Sequence, residues 1–322
     1  MKAIVCRRYG SSSELRMEEI SKPVPAEGQV LVKIKAASVN SWDWDLLTGR
    51  PYIYRLMFGL MKPKFPVIGS DIAGVVVEIG KDVTLFKPGD EVFGDISGIG
   101  FGAFAEYACV PENLLAAKPA RMSFEEAAAV PQAGVLALQG LRKGGEIKPG
   151  QHILLNGAGG GVGTFAIQIA KQKGAEVTCV DKGEKLQLLS ELGADHVVDY
   201  SKADFLSGKS QYDLVVDVVA RRSVYDYYHI LNPGGHYVIV GGSISTIFQN
   251  WTLCTWMNRM KGKEISLLLH KPGREDLNLL GKMWEDGFLK PVVEKIYPLS
   301  QTAEAVQRIG EGKAMGKLVI VM

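Results

Sequence analysis

Apolar residues come in short runs broken by turn formers over the first third of the chain. Beyond residue 150 they come in runs that alternate with periodic segments. Lys2–Cys6 and residues 29–36, 72–79 and 103–110 are rich in Val, Ile and Ala, and Pro25-Ala-Glu-Gly28 and Lys87-Pro-Gly-Asp90 supply turns between such runs. Branched side chains pack well on a pleated surface, so this texture predicts a β-rich barrel or sandwich over residues 1–121.

At residue 122 the texture changes. Ser123-Phe-Glu-Glu126 is a capping-box start for a helix, and Pro131 follows as a breaker. Residues 152–156 form a short apolar strand. Val162, Phe165, Ala166, Ile169 and Ala170 then fall at i, i+3, i+4, i+7 and i+8, one face of a helix that Gly174 closes. Residues 177–180, 197–198, 214–219, 237–240 and 265–269 are apolar on both faces, as buried parallel strands are, with helices predicted at 185–192 and 224–231. Strands alternating with helices predict a parallel sheet over 122–270. From 271 to 322 the pattern is mixed: a helix at 275–285, a strand at 292–297, a helix at 301–309 and a strand at Lys317–Val321.

The 322 residues suffice for two domains of roughly 100–200 residues each. Lys and Arg total 37 against 35 Asp and Glu, so neither a nucleic-acid surface nor a basic membrane tail is expected. No stretch approaches the roughly 18 apolar residues that span a bilayer. Arg7 and Arg8 interrupt the N-terminal strand before a signal-peptide core forms, so the expected location is cytoplasmic. Cys6, Cys109, Cys179 and Cys254 form no CxxC pair and read as free, buried thiols.

The strongest local signal is His152-Ile-Leu-Leu-Asn-Gly-Ala-Gly-Gly-Gly-Val-Gly163, a strand running through a glycine cluster into a helix. Glycines let the backbone approach a ligand closely, and the N–H groups of a helix start bind phosphate. The spacing is Gly157-x-x-Gly160-x-x-Gly163, with Val162 where a G-x-G-x-x-G pattern has its third glycine. Gly157, Gly159, Gly160, Gly161, Val162 and Gly163 are the predicted seat of a dinucleotide diphosphate. Asp181, at the end of the next strand, stands where an acidic side chain binds ribose hydroxyls, which favours NAD(H). Lys182 and Lys185 follow at once and offset that charge for NADP(H), or are solvated surface.

Together with Gly69-Ser-Asp-Ile-Ala-Gly-Val-Val-Val-Glu-Ile-Gly80, Phe86-Lys-Pro-Gly-Asp-Glu-Val-Phe93, Gly102-Ala-Phe-Ala-Glu-Tyr107, Ala127-Ala-Ala-Val-Pro131, Leu192-Gly-Ala-Asp-His-Val-Val-Asp-Tyr200 and Gly316-Lys317, the chain resembles the medium-chain dehydrogenase/reductase superfamily, in its zinc-free quinone-oxidoreductase branch. The resemblance implies an α/β protein. A GroES-like β-rich catalytic domain (1–121 and 271–322) would accompany a Rossmann doubly wound parallel-sheet domain (122–270), in a homodimer. Zinc-dependent members have a cysteine where this chain has Asn40 and a histidine where it has Ser70. Asp71 keeps their acidic residue. Carboxamide and hydroxyl side chains are poor zinc ligands, so no metal is expected.

The resemblance further implies Asn40, Asp43 and Ser70 at the catalytic site. Tyr52, with Tyr54, lies in a long segment, 50–65, that either caps the cleft or covers core surface. Trp251 and Trp256 either line a pocket for a flat substrate or pack in a core. Leu136 replaces a threonine that touches the nicotinamide in relatives; it packs but forms no hydrogen bond. Lys185 and Tyr200 match positions that hold a 2′-phosphate, which tips the choice to NADP(H), and Lys317 is counted with the cofactor-binding residues. The five histidines match no catalytic role. Without a Lewis acid, reduction of a quinone or of an α,β-unsaturated carbonyl compound fits better than alcohol oxidation. The alternatives are a zinc-free alcohol dehydrogenase or carbonyl reductase, and a non-catalytic NAD(P)H-binding sensor. No hydrolase or P-loop motif is present.

Overall fold

The structure is a computed structural model that describes residues 1–207, 211–242 and 262–322. Trp251, Trp256 and Cys254 lie outside the described residues. Two compact units divide the chain. One comprises Met1–Val135, Lys271–Asp286 and Pro291–Met322, the other Leu136–His270 and Gly287–Lys290.

The first unit is β-rich. Strands β1 (Lys2–Cys6) and β2 (Leu15–Glu19) pair antiparallel. A seven-stranded sheet is built on β3 (Gln29–Val39), which pairs antiparallel with β4 (Asp71–Ile79). Strand β4 pairs in turn with β5 (Glu91–Asp95), while β6 (Tyr107–Pro111) also lies on β3 and β7 (Leu115–Ala117) lies on β5. Its core is aliphatic, with Val30, Val32, Ile34, Ile72, Val76 and Val92 facing Ile68, Phe104 and Leu318. Helices α1 (Ser41–Thr48) and α2 (Tyr54–Phe58) lie in the connection between β3 and β4.

Helix α3 (Phe124–Ala129) begins with the predicted capping box: the Glu126 N–H donates to Ser123 Oγ at 3.1 Å and the Ser123 N–H to Glu126 Oε2 at 3.0 Å. Pro131 ends that helix and opens the next, α4 (Pro131–Lys143), because a helix's first residue needs no N–H. The boundary between units falls inside α4 and not at 121–122. The reason is that α3 packs on β3 and β4 of the first unit and belongs to it.

The second unit holds a six-stranded parallel sheet. Its strands are β8 (His152–Asn156), β9 (Glu176–Asp181), β10 (His196–Asp199), β11 (Tyr212–Asp217), β12 (Leu231–Ile239) and β13 (Glu264–Leu267), in spatial order β10-β9-β8-β11-β12-β13. The order reverses between β8 and β11, where doubly wound sheets place their ligand. Helix α5 (Gly161–Gln172) follows β8, and Gly174 leaves it at φ 78°, a conformation glycine adopts without strain. Below the reversal a buried network ties the two strand ends. Asn156 Nδ2 donates to Asp217 Oδ1 (2.8 Å) and to the Tyr227 hydroxyl (2.9 Å), and the Tyr237 hydroxyl donates to Asp217 Oδ2 (3.0 Å). The Tyr227 and Tyr237 rings stack with centroids 4.4 Å apart.

The chain then returns to the first unit. Strand β14 (Val293–Pro298) runs parallel to β15 (Lys317–Val321), and β15 pairs antiparallel with β3, so Leu318 lies opposite Val39.

Candidate functional site

Two groups of predicted residues are assembled, one in each unit. In the first unit, β3 delivers Ser38, the end of β3 delivers Asn40, the start of β4 delivers Ser70 and Asp71, and β15 delivers Lys317. All five are buried. Asp71 is the hub. Its Oδ2 accepts from Ser38 Oγ (2.8 Å), Asn40 Nδ2 (2.9 Å) and Lys317 Nζ (3.2 Å), and its Oδ1 accepts from the Gln132 N–H (3.0 Å). Burial pushes the Asp71 carboxyl upward and the Lys317 charge pulls it back. Three donors on one oxygen and one on the other fit the carboxylate form.

Asn40 is fully engaged. Its Nδ2 donates to Asp71 and to Ser70 Oγ (3.2 Å), and its Oδ1 accepts from Lys317 Nζ at 2.5 Å. Its amide therefore orders the pocket and has no N–H left over to donate outward. Ser70 Oγ also accepts from Gln132 Nε2, at 3.4 Å.

Lys317 needs a correction. Counted above with the cofactor-binding residues, it is 2% exposed, and its three N–H donors meet Val39 O (3.3 Å), Asn40 Oδ1 and Asp71 Oδ2. An ammonium has three donors, and these contacts engage all of them.

Asp43 holds the pocket from the side of α1. One carboxyl oxygen accepts from the Asn40 N–H (2.8 Å) and the other from the Gly69 N–H (2.9 Å). Burial pushes its carboxyl up to about 7, against the pull of those bonds. Asp45, two residues further along α1, is also raised by burial to about 7, and its carboxyl takes no hydrogen bond from the described residues.

Tyr52 is not brought into this cluster. It is 63% exposed, with the guanidinium of Arg55 over its ring at 4.9 Å. Tyr54 stacks on Trp42 at 5.6 Å, in an aromatic group with Phe58 and Phe101. Ser38, Asp45 and Gln132 escape sequence reasoning. The signal for Ser38 is a polar residue inside an apolar strand; nothing in the spacing marks Gln132.

In the second unit the glycine turn has the geometry of an anion seat. Gly160 caps α5, and the first intrahelical bond is Thr164 N–H to Gly160 O at 3.1 Å. The N–H groups of Gly161, Val162 and Gly163 precede that bond and have no acceptor within the helix. Gly163 is the glycine of closest approach, since a Cβ there would lie 2.3 Å from Ala158 O. A Cβ on Gly160 would meet nothing nearer than 3.7 Å, which leaves open space for a diphosphate.

Beside the turn, Asp181 Oδ2 accepts from the Gly159 N–H (2.7 Å) and Oδ1 from the Lys182 N–H (2.8 Å). Lys185 Nζ lies 3.7 Å from Oδ1. Lys185 is 6% exposed and not solvated surface, because its stem lies over Gly159. Tyr200 is exposed, and its N–H bonds Asp181 O at 3.3 Å. The residues present fit a dinucleotide.

Residues 26–120 match a family model described as alcohol dehydrogenase GroES-like domain, and residues 192–320 match one described as zinc-binding dehydrogenase. The chain is 32% identical over 333 residues to the chloroplast envelope quinone oxidoreductase homolog of Arabidopsis thaliana, covering 99% of this chain and 98% of that one. It is 34% identical over 332 residues to 2-methylene-furan-3-one reductase of Solanum lycopersicum, covering 99% and 79%. Among solved structures it is similar to the quinone oxidoreductase from Coxiella burnetii (TM-score 0.89, 29% identity, 100% and 99% covered). It is also similar to the Escherichia coli quinone oxidoreductase complexed with NADPH (TM-score 0.85, 25% identity, 100% of each chain). The chain belongs to the medium-chain dehydrogenase/reductase superfamily. Within it, the chain falls in the quinone-oxidoreductase branch.

One matched description names zinc, and the residues do not fit it. Positions 40 and 70 carry a carboxamide and a hydroxyl, and an ammonium lies against Asn40 and Asp71. Among the described residues no three His, Cys, Asp or Glu side chains converge as a metal-binding group.

Proposed function

We propose that this protein is an NAD(P)H-dependent reductase of quinones and α,β-unsaturated carbonyl compounds that works without zinc. The observation that carries the reading is the open start of α5, with three first-turn N–H groups and the Gly160 gap at the point where the sheet order reverses. The names of its relatives, quinone oxidoreductase and 2-methylene-furan-3-one reductase, supply the acceptor classes.

When bound, the nicotinamide supplies a hydride to the acceptor. The chain's own part is to bind and orient. The N–H groups of Gly161, Val162 and Gly163 take the diphosphate. The Asp71 cluster keeps the pocket around Asn40 rigid, which is how a site without a Lewis acid lowers a barrier: by fixing geometry in advance.

NADP(H) is the proposed cofactor. Both Asp181 oxygens already accept backbone N–H groups, and Lys185 lies beside them, so its charge is balanced within the protein. A balanced carboxylate repels a 2′-phosphate less and has fewer lone pairs for ribose hydroxyls. The resemblance adds a homodimer, which sedimentation velocity checks.

The deciding experiment offers a quinone, an enal and a simple ketone side by side and follows oxidation of the reduced cofactor. Turnover of the ketone alone would make the protein a carbonyl reductase. Cofactor binding without turnover of any acceptor would make it a sensor.

A further inference from the structure

We propose that the Lys317 ammonium is the resident cation of the pocket formed by Asn40, Ser70 and Asp71. It balances Asp71, fixes the Asn40 carboxamide, and closes to divalent ions the place that zinc takes in metal-dependent members of the superfamily. The inference deepens the zinc-independent reading and rests on it for placing this cluster at the catalytic centre.

The chemistry of the contacts carries the argument. A zinc ion would need lone-pair donors at positions 40, 70 and 71. Here the side chain at 40 turns its oxygen to Lys317 and its N–H groups to Ser70 and Asp71, so the pocket is wired around a cation that belongs to the chain. The wiring is directional. Lys317 Nζ donates to Asn40 Oδ1, Asn40 Nδ2 donates to Ser70 Oγ, and Gln132 Nε2 donates to the same oxygen. With the ammonium on Oδ1 the carboxamide has one orientation, because the reverse would set an NH₂ group against the positive charge.

The charge balance points the same way. Asp43, Asp71 and Asp95 are buried within this unit, and the cation whose charge acts on both Asp43 and Asp71 is Lys317. Strand pairing delivers it: Leu318 lies opposite Val39 in the β15–β3 register, which sets Lys317 beside Asn40. Lys317 is thus a positioning residue that acts through Asn40 and Asp71.

The test restores the missing zinc ligands and asks whether the lysine keeps the metal out. Asn40→Cys/Ser70→His leaves Asp71 as a third donor. Titrated with Co²⁺, this double variant should show no thiolate-to-cobalt charge-transfer band. The same pair with Lys317→Met should bind Co²⁺ at least about tenfold more tightly and show the band. Equal uptake by the two, or uptake by neither, overturns the proposal.

In the otherwise native holoenzyme, Lys317→Met should lower kcat at least about tenfold while KM for the cofactor holds, and Lys317→Arg should restore most of it. A shift in cofactor KM alone would return Lys317 to the cofactor-binding set. Should Lys317→Met fail to fold, the Cys/His pair combined with Lys317→Arg must still refuse cobalt. Cobalt uptake reads the pocket whichever acceptor the enzyme reduces. Inactivity of the wild-type chain on quinones and enals would therefore sink the functional reading separately.

Discussion

The Gly69 N–H donates to Asp43 Oδ1 at 2.9 Å, and through this bond helix α1 is fastened to the residue that precedes Ser70 and Asp71. The other Asp43 oxygen holds the Asn40 N–H, so one carboxyl group spans both edges of the pocket.

Asp43→Ala leaves two buried N–H groups without acceptors. Each unsatisfied buried donor costs about 1–3 kcal/mol, so the variant should lose about 2–6 kcal/mol of stability. Urea unfolding at neutral pH measures it. A loss within experimental error of zero would mean that water reaches both N–H groups.

Asp45 gives a pH dependence with a definite sign. Its folded-state value of about 7 lies above the ordinary carboxylate value of about 3.9, so the folded protein holds the proton more tightly. The stability it contributes is fully present below about pH 4 and is lost as the pH rises through about 7. Asp43, raised to about the same value, adds a second slope of the same sign. Comparing urea midpoints at about pH 5 and about pH 8, Asp45→Asn should show a shallower fall than the wild type. Parallel falls would mean that the fold does not desolvate the Asp45 carboxyl.

Lys185→Ala should weaken NADPH about tenfold, which corresponds to about 1.4 kcal/mol, and leave NADH within about twofold. Side-by-side fluorescence titration resolves the two. Equal losses for both cofactors would mean that Lys185 supports the turn through Gly159 and does not read a 2′-phosphate.

Two glycine substitutions should separate folding from binding. Gly163→Ala puts a Cβ into the Ala158 backbone, so it should lower the melting temperature. Gly160→Ala meets nothing nearer than 3.7 Å in the protein and should fold normally, yet weaken the cofactor at least about tenfold by filling the diphosphate's space. Full affinity in Gly160→Ala would place the phosphates elsewhere.

The parallel-sheet unit was largely legible in the sequence because its signals are local. Runs apolar on both faces, a periodic helix and a glycine cluster each lie within a dozen or so residues. Even there, Leu231 opens β12 where the pattern extends a helix through it, since the tertiary pairing of β12 with β11 overrides a short helical signal. The cluster around Asp71 was legible only in part. Asn40, Asp43 and Ser70 are placed by the family resemblance, whereas the contact of Lys317 with Asn40 depends on the pairing of β15 with β3, and that pairing leaves no trace in local spacing. From the sequence Lys317 stands with the cofactor-binding residues, and its buried partners emerge only once β15 lies on β3.

The order of synthesis follows from where β15 sits. The ribosome releases Asn40, Ser70 and Asp71 early, then the whole glycine-turn unit, and only afterwards Pro291–Met322, which brings Lys317. A nascent chain stalled before that point carries a finished parallel-sheet unit and a first-unit pocket whose carboxylate still lacks the Lys317 charge. Such a chain should hold NADPH and stay inert toward acceptors, so competence to turn over arrives with the final strand.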